Sequence, residues 1–315
     1  MSGGLVSVVV PVFNEHGALE PLLAELLPVV RALGRPAEVV FVDDGSTDGS
    51  GDALAEVARR EPDVVLVRLR RNFGKAEALM AGFGTARGEV VVTMDGDQQD
   101  DPAEIPRMLA HLEQGWFDLV SGWKAQRRDP LGKRLPSRVF NGVTRAVSGV
   151  PLHDLNCGFK AYRAEVVRAL AIAGDQYRYI PVLAAHEGFR VGELAVNHRP
   201  RQHGTSKYGW ERYARGLLDL LTITFLGRYR HRPMHLFGGL GLVMLLVGLL
   251  VSAYLSVLRF TGHAIGNRPL LLLGVLLILV GIQLLTFGLL SEMIQRQHAR
   301  SREDDAAARV REVVR

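Results

Sequence analysis

Short apolar runs alternate with amphipathic stretches over the first 200 residues of the chain. The runs are rich in valine and are bounded by polar turn residues, which is typical of strands buried on both faces. They predict strands at 5–11, 38–43, 64–69, 89–94 and 117–121. The stretches between and after them predict helices at 17–33, 50–60, 74–86, 102–114 and 137–148. This alternation indicates an α/β domain with a mainly parallel sheet covered by helices on both faces.

The pattern changes near residue 233. The segments 236–258 and 270–290 are each long and apolar enough to cross a bilayer, which takes roughly 20 residues in a helix. Only Gln283 and Thr286 interrupt the second segment. A buried helical hairpin in a soluble core is the alternative interpretation, although soluble helices of this length normally show a polar face.

Basic residues flank the two apolar segments. They are Arg228, Arg230 and Arg232 before the first, and Arg296, Arg300 and Arg302 after the second. The positive-inside rule then predicts that both termini are cytoplasmic. The segment before the first span is amphipathic at its start, which predicts a helix on the membrane surface or, alternatively, one paired with another helix.

Composition narrows the class of protein. The 315 residues carry a net charge of +5 and a single cysteine, Cys157, so an internal disulfide is excluded. The first residues lack the basic start of a signal peptide and are predicted as a strand.

The predicted division of the chain is a catalytic domain (1–208), an amphipathic juxtamembrane segment (209–232), a membrane hairpin (233–295) and a charged cytoplasmic tail (296–315). The end of this tail, 300–315, is expected to be a charged helix or disordered.

Polar clusters follow three of the predicted strands. They are Pro11-Val12-Phe13-Asn14-Glu15, Asp43-Asp44-Gly45-Ser46-Thr47-Asp48 and Asp95-Gly96-Asp97-Gln98-Gln99. One such cluster alone is typical of a turn with a helix cap. Three at the carboxyl edge of one sheet indicate a ligand site, because open α/β sheets bind their ligands at that edge.

The third cluster raises a question of charge. Asp95 and Asp97 repel each other unless a cation lies between them. Two carboxylates and a side-chain carbonyl, here from Gln99, form an all-oxygen set suited to Mg²⁺ or Mn²⁺. Asp100 and Asp101 are instead expected to begin the helix that follows Pro102.

Two nucleotide-binding classes are excluded by motif. No Gly-x-Gly-x-x-Gly follows the first strand, which argues against a dinucleotide-binding dehydrogenase. No Gly-x4-Gly-Lys-Ser/Thr occurs anywhere, which argues against a P-loop NTPase. Nucleic acid is a poor partner because the basic residues lack interleaved aromatics.

Several motifs in this order resemble the family 2 glycosyltransferases, which have a Rossmann-like GT-A fold. They are VVVPVFNE, FVDDGSTDGS, RNFGKAEALMAGF and MDGDQQDDP. The later elements DLNCGFKAYR and RQHGTSKYGW, followed by two spans, are similar to those of polyprenyl-phosphate glycosyltransferases, including dolichyl-phosphate mannose synthases and undecaprenyl-phosphate transferases. The resemblance covers about residues 5–291. The Gln-x-x-Arg-Trp element of the processive synthases is missing, and this absence implies transfer of a single sugar rather than polymerisation.

The resemblance also implies roles for individual residues. The nucleoside and diphosphate of a UDP- or GDP-sugar would be bound by Pro11, Phe13, Asn14, Glu15, Asp43, Asp44, Lys75, Asp95 and Gly96. The metal would be held by Asp95, Asp97 and Gln99, and Asp97 and Asp154 would be the catalytic residues. Alternatives that stay open are a solvated helix-start acid for Glu15 and helix capping for Lys75.

The acceptor implied is a polyprenyl phosphate, which is already an anion and can attack the anomeric carbon without a strong base. Arginine suits phosphate because its planar fork binds two oxygens. The acceptor phosphate would be bound by Arg128, Arg134, Ser137, Arg138, Arg201 and Lys207. The alternative interpretations of these charges are attraction to lipid headgroups and ordinary solvated surface charge.

The expected product is a polyprenyl-monophosphate sugar made with inversion on the cytoplasmic leaflet of the inner membrane. A membrane transferase acting on a lipid hydroxyl is one alternative, and a non-catalytic nucleotide-sugar-binding scaffold is another. The sugar, the nucleotide base and the length of the polyprenol do not follow from these motifs. A homo-oligomer is compatible with the sequence.

Overall fold

The computed structural model describes residues 4–124, 150–197, 199, 233–262, 269–298 and 310–314. These residues belong to two compact units. The first contains a sheet with its covering helices, and the second consists of two long helices.

The sheet has eight strands in the order β7-β5-β6-β4-β1-β2-β3-β8. The strands are β1 (Val6–Val12), β2 (Ala37–Asp43), β3 (Val64–Leu69), β4 (Val90–Thr93), β5 (Leu119–Trp123), β6 (Lys160–Arg163), β7 (Val191–Ala195) and β8 (Val310–Val314). β1, β2, β3 and β4 pair in parallel, as do β5 and β7. β6 runs antiparallel to β4 and β5, and β8 antiparallel to β3.

Helices cover both faces of this sheet. They are α1 (His16–Arg31), α2 (Ser50–Arg60), α3 (Lys75–Thr85), α4 (Ile105–Gln114), α5 (Ala164–Ala169) and α6 (Ile180–His186), with 3-10 turns at Pro102–Glu104 and Gly174–Tyr179. Successive strand residues point to opposite faces, so Val8 and Val10 join one hydrophobic core while Val9 joins the other. A continuous valine run is therefore what a strand buried on both faces requires.

A buried carboxylate closes the amino edge of the sheet. Glu38 accepts hydrogen bonds from the Ser7 hydroxyl at 2.7 Å, the Arg87 backbone N–H at 2.8 Å and the Arg87 guanidinium at 2.6 Å. Burial by itself raises the pKa of Glu38, but these hydrogen bonds and the arginine charge outweigh it and lower that pKa. The contacts tie β1 and β2 to the turn that enters β4.

The predicted α/β class with a mainly parallel sheet is confirmed. The five predicted strands and the first four predicted helices are present, and their ends agree to within two residues apart from the fourth helix, whose first turn is 3-10. The strand expected at 117–121 begins at Leu119, for example. Beyond these, the described residues contain β6, β7, α5 and α6, which the sequence pattern did not predict.

The expectation of a helical or disordered tail is wrong for Val310–Val314, which forms β8 at the free edge of β3. Three of its five residues are valine, which favours strands, and pairing satisfies the otherwise open row of backbone donors and acceptors on β3. The predicted helix at 137–148 and the amphipathic segment 209–232 lie outside the described residues. The predicted division of the chain into four segments stays a prediction.

The second unit contains α7 (Pro233–Phe260) and α8 (Pro269–His298), which pack against each other along their length. Both are long and apolar enough to cross a membrane, and less than a fifth of the apolar stretch in each helix is buried. Glycines let the two backbones meet: a Cβ on Gly281 would lie 2.8 Å from the Gly241 carbonyl oxygen, and one on Gly248 would lie 2.9 Å from the Gly274 carbonyl oxygen. Small residues at such contacts are typical of paired membrane helices.

Candidate active site

The three polar clusters meet at the carboxyl edge of the sheet. β1 lies between β4 and β2, and the register places Val9 beside Thr93 and Val12 beside Asp43. The loops that follow these three strands therefore leave the sheet side by side. The prediction that the clusters share one edge is confirmed.

The loops after β1 and β2 hold each other by hydrogen bonds. The Asn14 N–H donates to the Ser46 hydroxyl at 3.0 Å, and the Thr47 N–H donates to the Asn14 Oδ1 at 2.8 Å. Asn14 has a φ of 55°, a conformation that asparagine tolerates better than most residues. The Glu15 N–H donates to the Ser50 hydroxyl at 3.1 Å. Glu15 thus begins α1 beside the second loop.

Two predicted nucleotide-binding residues border these interlocked loops. Pro11 is partly buried near the end of β1, and the Phe13 side chain is exposed. Phe13 is accessible for stacking on a planar ligand. Both positions are compatible with the role that the sequence predicts for them.

Asp43 and Asp44 are buried, and each shapes a loop. Asp43 accepts from the Ser46 N–H at 2.8 Å. The two oxygens of Asp44 accept from the Phe73 and Gly74 N–H groups at 2.8 and 2.9 Å. Burial raises the pKa of Asp44, and these two hydrogen bonds only partly oppose it. Asp44 therefore anchors the start of α3 whatever else it binds.

Lys75 opens α3 and donates a hydrogen bond from its ammonium to Asp95 Oδ1. Burial disfavours both charges, but their mutual attraction and hydrogen bond outweigh it, so the pKa of Lys75 is raised and that of Asp95 is lowered. The Lys75 ammonium also lies 5.3 Å from the centre of the Tyr177 ring. The lysine and the aspartate that the resemblance assigns to the donor site are thus in direct contact.

The loop that carries the predicted metal ligands is tightly folded. The Asp95 N–H donates to Asp100 Oδ2 at 3.0 Å, and the Gln99 N–H donates to Asp97 Oδ1 at 3.2 Å. Gln98 has a φ of 60°. These contacts turn the chain sharply, so Asp95, Asp97 and Gln99 belong to one short loop.

The oxygens of this loop suit a hard divalent cation. Among the described residues, no three His, Cys, Asp or Glu side chains form a group able to hold a metal ion. A cation here would use the Gln99 amide and oxygens of a bound diphosphate beside the two carboxylates. The metal site stays a prediction that the donor chemistry fits.

The two acidic residues at the end of this loop differ in role. Asp101 caps the 3-10 turn and accepts from the Ala103 N–H at 3.1 Å, as expected of a helix start. The same expectation is wrong for Asp100, which is fully buried, accepts from the Asp95 N–H and lies 3.7 Å from the Lys124 ammonium. Burial raises the pKa of Asp100, and the charge of Lys124 opposes that rise.

Asp154 lies in a loop that leads into β6. It is buried, and its Oδ1 accepts from the Asn156 N–H at 3.1 Å. Glu193 on β7 accepts from the N–H groups of His153 at 2.9 Å and Asp154 at 2.8 Å. The described contacts of Asp154 hold its own loop, and its catalytic role stays a prediction.

The loop that leads from Asp154 into β6 also packs closely against Asp95. Thr93 donates from its hydroxyl to the Gly158 carbonyl at 2.8 Å, which fixes the loop to β4. A Cβ on Gly158 would lie 2.5 Å from Asp95 Oδ1, so a larger residue there would displace the Asp95 carboxylate or the loop. Lys160, buried on β6, donates to the Cys157 carbonyl, and burial lowers the pKa of its ammonium.

A small cavity of about 10 Å³, room for about one water molecule, lies between these groups. Its lining includes Pro11, Lys75, Asp95, Asn156 and Lys160. A predicted nucleotide-binding residue, a predicted metal ligand and two lysines therefore face the same space.

The predicted acceptor residues Arg128, Arg134, Ser137, Arg138, Arg201 and Lys207 lie outside the described residues. Arg199, two residues before Arg201, is described: its N–H donates to the Gln99 carbonyl at 2.9 Å. Its guanidinium contacts Asp101 at 3.0 Å and Glu25 at 2.6 Å. The chain that leads to Arg201 is thus fixed to the predicted metal loop.

Sequence reasoning missed Lys124, Lys160 and Glu193 as residues of this region. Lys124 and Lys160 sit at the carboxyl end of β5 and at the start of the antiparallel β6, both at the site edge. A rule that searched every strand end on this edge for charge would have found Lys124. Finding Lys160 and Glu193 also required the unpredicted strands β6 and β7.

Comparison with known proteins agrees with this geometry. A family model described as glycosyl transferase family 2 matches residues 7–171. A dodecaprenyl-phosphate galacturonate synthase of Rhizobium johnstonii is 41% identical over 307 residues, covering 96% of this chain and 90% of the relative. An undecaprenyl-phosphate 4-deoxy-4-formamido-L-arabinose transferase of Pseudomonas aeruginosa is 39% identical over 298 residues, covering 94% and 86%.

Solved structures share the fold. One is a glucosyl-3-phosphoglycerate synthase from Mycobacterium tuberculosis, in complex with Mn²⁺, UDP and glucosyl-3-phosphoglycerate (TM-score 0.54, 21% identity, 71% of this chain and 80% of that one). Another is a mannosyltransferase from Pyrobaculum calidifontis, in complex with GDP-Man and Mn²⁺ (TM-score 0.53, 21% identity, 97% and 78%).

Proposed function

Because the chain belongs to glycosyl transferase family 2, we propose that it moves one sugar from a nucleoside diphosphate sugar to a polyprenyl phosphate. The observation that carries this proposal is the similarity to two kinds of polyprenyl-phosphate sugar transferase over more than nine-tenths of the chain. The polar clusters that meet at the carboxyl edge of the sheet support the donor side of this proposal.

The donor binds at the carboxyl edge of β1, β2 and β4. The interlocked loops after β1 and β2 receive the nucleoside, with Phe13 available to stack on the base. Asp95, Asp97 and Gln99 would hold Mg²⁺ or Mn²⁺, which supplies positive charge to the leaving diphosphate. The Lys75 ammonium, which contacts Asp95, adds a second positive charge near the leaving diphosphate.

The acceptor reacts by a single displacement with inversion. A phosphate oxygen attacks the anomeric carbon, the bond from that carbon to the nucleoside diphosphate breaks, and the diphosphate leaves with the electron pair. The acceptor is already ionised, so the protein has to bind and aim it. The basic residues predicted for this task include Arg128, Arg134, Arg138, Arg201 and Lys207, with Ser137 as a further contact.

The two long helices anchor the protein in the inner membrane. We propose that α7 and α8 span the bilayer, that both termini are cytoplasmic, and that the segment 209–232 lies at the membrane surface. Such an arrangement brings the catalytic unit to the leaflet that exposes the lipid phosphate. The proposed catalytic domain is 1–208, and Val310–Val314 adds the edge strand β8 to its sheet.

The first experiment measures transfer of radiolabelled sugar from a panel of UDP- and GDP-sugars to undecaprenyl phosphate. The full chain is used in detergent with Mg²⁺ or Mn²⁺, beside Asp97→Ala and the surface control Glu56→Ala. We expect a metal-dependent, acid-labile lipid-linked sugar that Asp97→Ala abolishes and Glu56→Ala leaves intact. The active donor names both base and sugar.

Other outcomes would replace the proposal. Transfer to a glycerolipid hydroxyl without transfer to the lipid phosphate would assign the acceptor differently. Binding of donor and metal without turnover on any acceptor would indicate a nucleotide-sugar-binding scaffold.

A further inference from the structure

Lys160 places a buried positive charge at the carboxyl edge of the sheet. Its side chain is 3% exposed, and it is the first residue of β6. The ammonium donates to the Cys157 carbonyl, and within the described residues it forms no ion pair with a carboxylate. An ammonium carries three N–H groups, so the other two have no described acceptor. Burial of such a charge is costly, and it lowers the pKa of this ammonium.

The other two lysines of this region already contact acids. Lys75 is paired with Asp95, and the Lys124 ammonium lies 3.7 Å from Asp100. Among the three described lysines of the site edge, Lys160 is therefore the one whose charge is left for a ligand.

A second buried polar group lies beside Lys160. The sheet register pairs Lys160 with Ser121 on β5 and with Thr93 on β4, and directly paired residues of antiparallel strands point to the same face. Thr93 donates its hydroxyl to the Gly158 carbonyl at 2.8 Å. The Ser121 hydroxyl is buried, and no hydrogen bond from the described residues reaches it. Buried polar groups normally have partners, so this face of β5 and β6 is suited to a polar group that comes from a ligand.

Lys160 faces the small cavity beneath the site. The lining of this cavity also includes Lys75, Asp95 and Asn156. Asn156 is exposed and Asp95 is partly exposed, so the cavity lies next to the surface of the carboxyl edge. Its volume of about 10 Å³ is enough for about one oxygen atom with its hydrogens, but not for a whole ligand. A ligand would therefore lie along the edge of the sheet and insert one polar group.

The order of the strands indicates which part of a ligand reaches Lys160. The strands lie in the order β2-β1-β4-β6, and with neighbours about 4.8 Å apart β6 is about 10 Å from β1. The proposed donor has its nucleoside at the loops after β1 and β2 and its diphosphate at the loop after β4. The sugar of an extended donor then lies beside β6. Lys160 is thus in reach of the sugar, one strand beyond the metal loop.

We propose that Lys160 selects a donor whose sugar carries a carboxylate, that is, a nucleoside diphosphate linked to a uronic acid. This inference rests on the proposed function, which supplies the donor and its direction along the sheet. One carboxylate oxygen enters the cavity and accepts a hydrogen bond from the Lys160 ammonium. A charge-assisted hydrogen bond is stronger than a neutral one, and the carboxylate also compensates the buried charge, which a sugar hydroxyl does not. Lys160 is then a specificity-determining residue that takes no part in the bond changes.

The first test uses the full unsubstituted chain in detergent with Mn²⁺. Calorimetry compares pairs of donors that differ only in the carboxylate: UDP-glucuronate with UDP-glucose, UDP-galacturonate with UDP-galactose, and GDP-mannuronate with GDP-mannose. In the pair that the protein binds most tightly, the uronate should bind about 10- to 100-fold more tightly, the range expected for a hydrogen bond to a charged group. Equal affinity within every pair would overturn the proposal.

Two variants test the residue. Lys160→Met keeps the length of the stem and removes the charge, and it should weaken uronate binding about 10- to 100-fold while the neutral donor and the free nucleoside diphosphate stay within about threefold. Thermal unfolding checks the fold of this variant, because the Cys157 carbonyl loses its donor. Asn156→Asp alters only an exposed side chain and places a negative charge at the same cavity, so it should also weaken the uronate selectively.

Gln114→Glu is the matched control for the added charge. Gln114 is exposed at the end of α4, where the chain turns toward the amino edge of the sheet, and this variant should bind both donors as the parent does. Unchanged uronate selectivity in Asn156→Asp and in a folded Lys160→Met would overturn the proposal.

Other outcomes would assign Lys160 to a different anion. Equal losses for the uronate, the neutral donor and the free nucleoside diphosphate would place it at the diphosphate and overturn the contact with the sugar. Unchanged donor binding with a raised KM for undecaprenyl phosphate would place it at the acceptor, and would overturn that contact as well.

The sugar-transfer assay separates this inference from the proposed function. Transfer of neutral sugars alone to undecaprenyl phosphate, unaffected by Lys160→Met, would overturn the inference and leave the proposed function standing. Uronate binding that depends on Lys160, without transfer to any lipid phosphate, would support the contact and reject the proposed function.

Discussion

Gly158→Ala tests whether the placement of Asp95 limits the reaction. The added Cβ would lie 2.5 Å from Asp95 Oδ1 and 2.8 Å from Asp95 Cγ, whereas ordinary contacts begin near 3.4 Å. The carboxylate must therefore move by about 0.9 Å or push the loop away. It has little freedom to do so, because Lys75 holds Oδ1 and the Asp95 N–H donates to Asp100.

A displacement of about 1 Å at a positioning group can cost about 100-fold in rate. We expect kcat/KM for the donor sugar to fall by about that factor, which corresponds to about 2.7 kcal/mol of transition-state stabilisation. The extra methyl group also overpacks the loop, at a cost of about 1–3 kcal/mol in the free energy of unfolding. Gly84→Ala on α3 is the matched control, since nothing lies within 4 Å of its Cβ.

The assay compares initial rates of sugar transfer over a range of Mn²⁺ concentrations, at a temperature where thermal unfolding shows both variants folded. Gly84→Ala should retain full activity and gain up to about 1 kcal/mol of stability, because alanine favours the helix. A folded Gly158→Ala that keeps its rate within about threefold of the parent would refute the reasoning, since Asp95 would then tolerate displacement.

Three further changes test other parts of the chain. The pKa of Glu38 is lowered in the folded state. The stability that ionised Glu38 contributes is therefore present above its unfolded pKa of 4.5 and is lost as the pH falls through the folded pKa. In a denaturant titration, Glu38→Gln should lower the free energy of unfolding at pH 7 and make that free energy fall less steeply below pH 4.5. Gly281→Ile should force α7 and α8 apart and lower the thermal midpoint in detergent, whereas Gly239→Ile, with nothing within 4 Å of its Cβ, should not. Val313→Pro removes a backbone donor from β8 and should favour aggregation seen by size-exclusion chromatography, and an unchanged elution profile beside Val313→Thr would count against a role for that strand.

The sequence predicted the part of the fold that has a repeating pattern. Strands β1 to β4 are valine-rich runs bounded by polar turns, and each leads into an amphipathic helix, so periodicity and turn residues locate them. β6 and β7 were not predicted because charged residues, Lys160 in β6 and Glu193 in β7, interrupt their apolar pattern. β4 is as short as β6 but consists of three valines and a threonine, so its pattern was recognisable. β8 was not predicted because its partner β3 lies more than 200 residues earlier in the chain, and the local sequence pattern carries no information on such pairing.

The candidate site was predictable wherever chemistry follows directly after a strand. Asp44 and Asp95 were found because parallel strands bring their carboxyl ends to one edge. Asp100 was misread because Asp-Asp-Pro is typical of a helix start, and the sequence does not reveal that one of the two acids turns inward. Its burial follows from the tight loop at Asp95–Gln99, whose backbone bends toward it.

The dense acidic loop after β4 is held by cations of the chain itself. Asp95 pairs with Lys75 and Asp100 faces Lys124, so two of the four carboxylates have a lysine before any ligand binds. Asp101 lies 3.0 Å from the Arg199 guanidinium, so three of the four acids contact a basic side chain of the chain itself. A divalent cation between Asp95 and Asp97 would add further positive charge to this loop. These basic side chains explain how four acids can follow a buried strand, and Asp97→Ala tests the part of the charge balance that the predicted cation would supply.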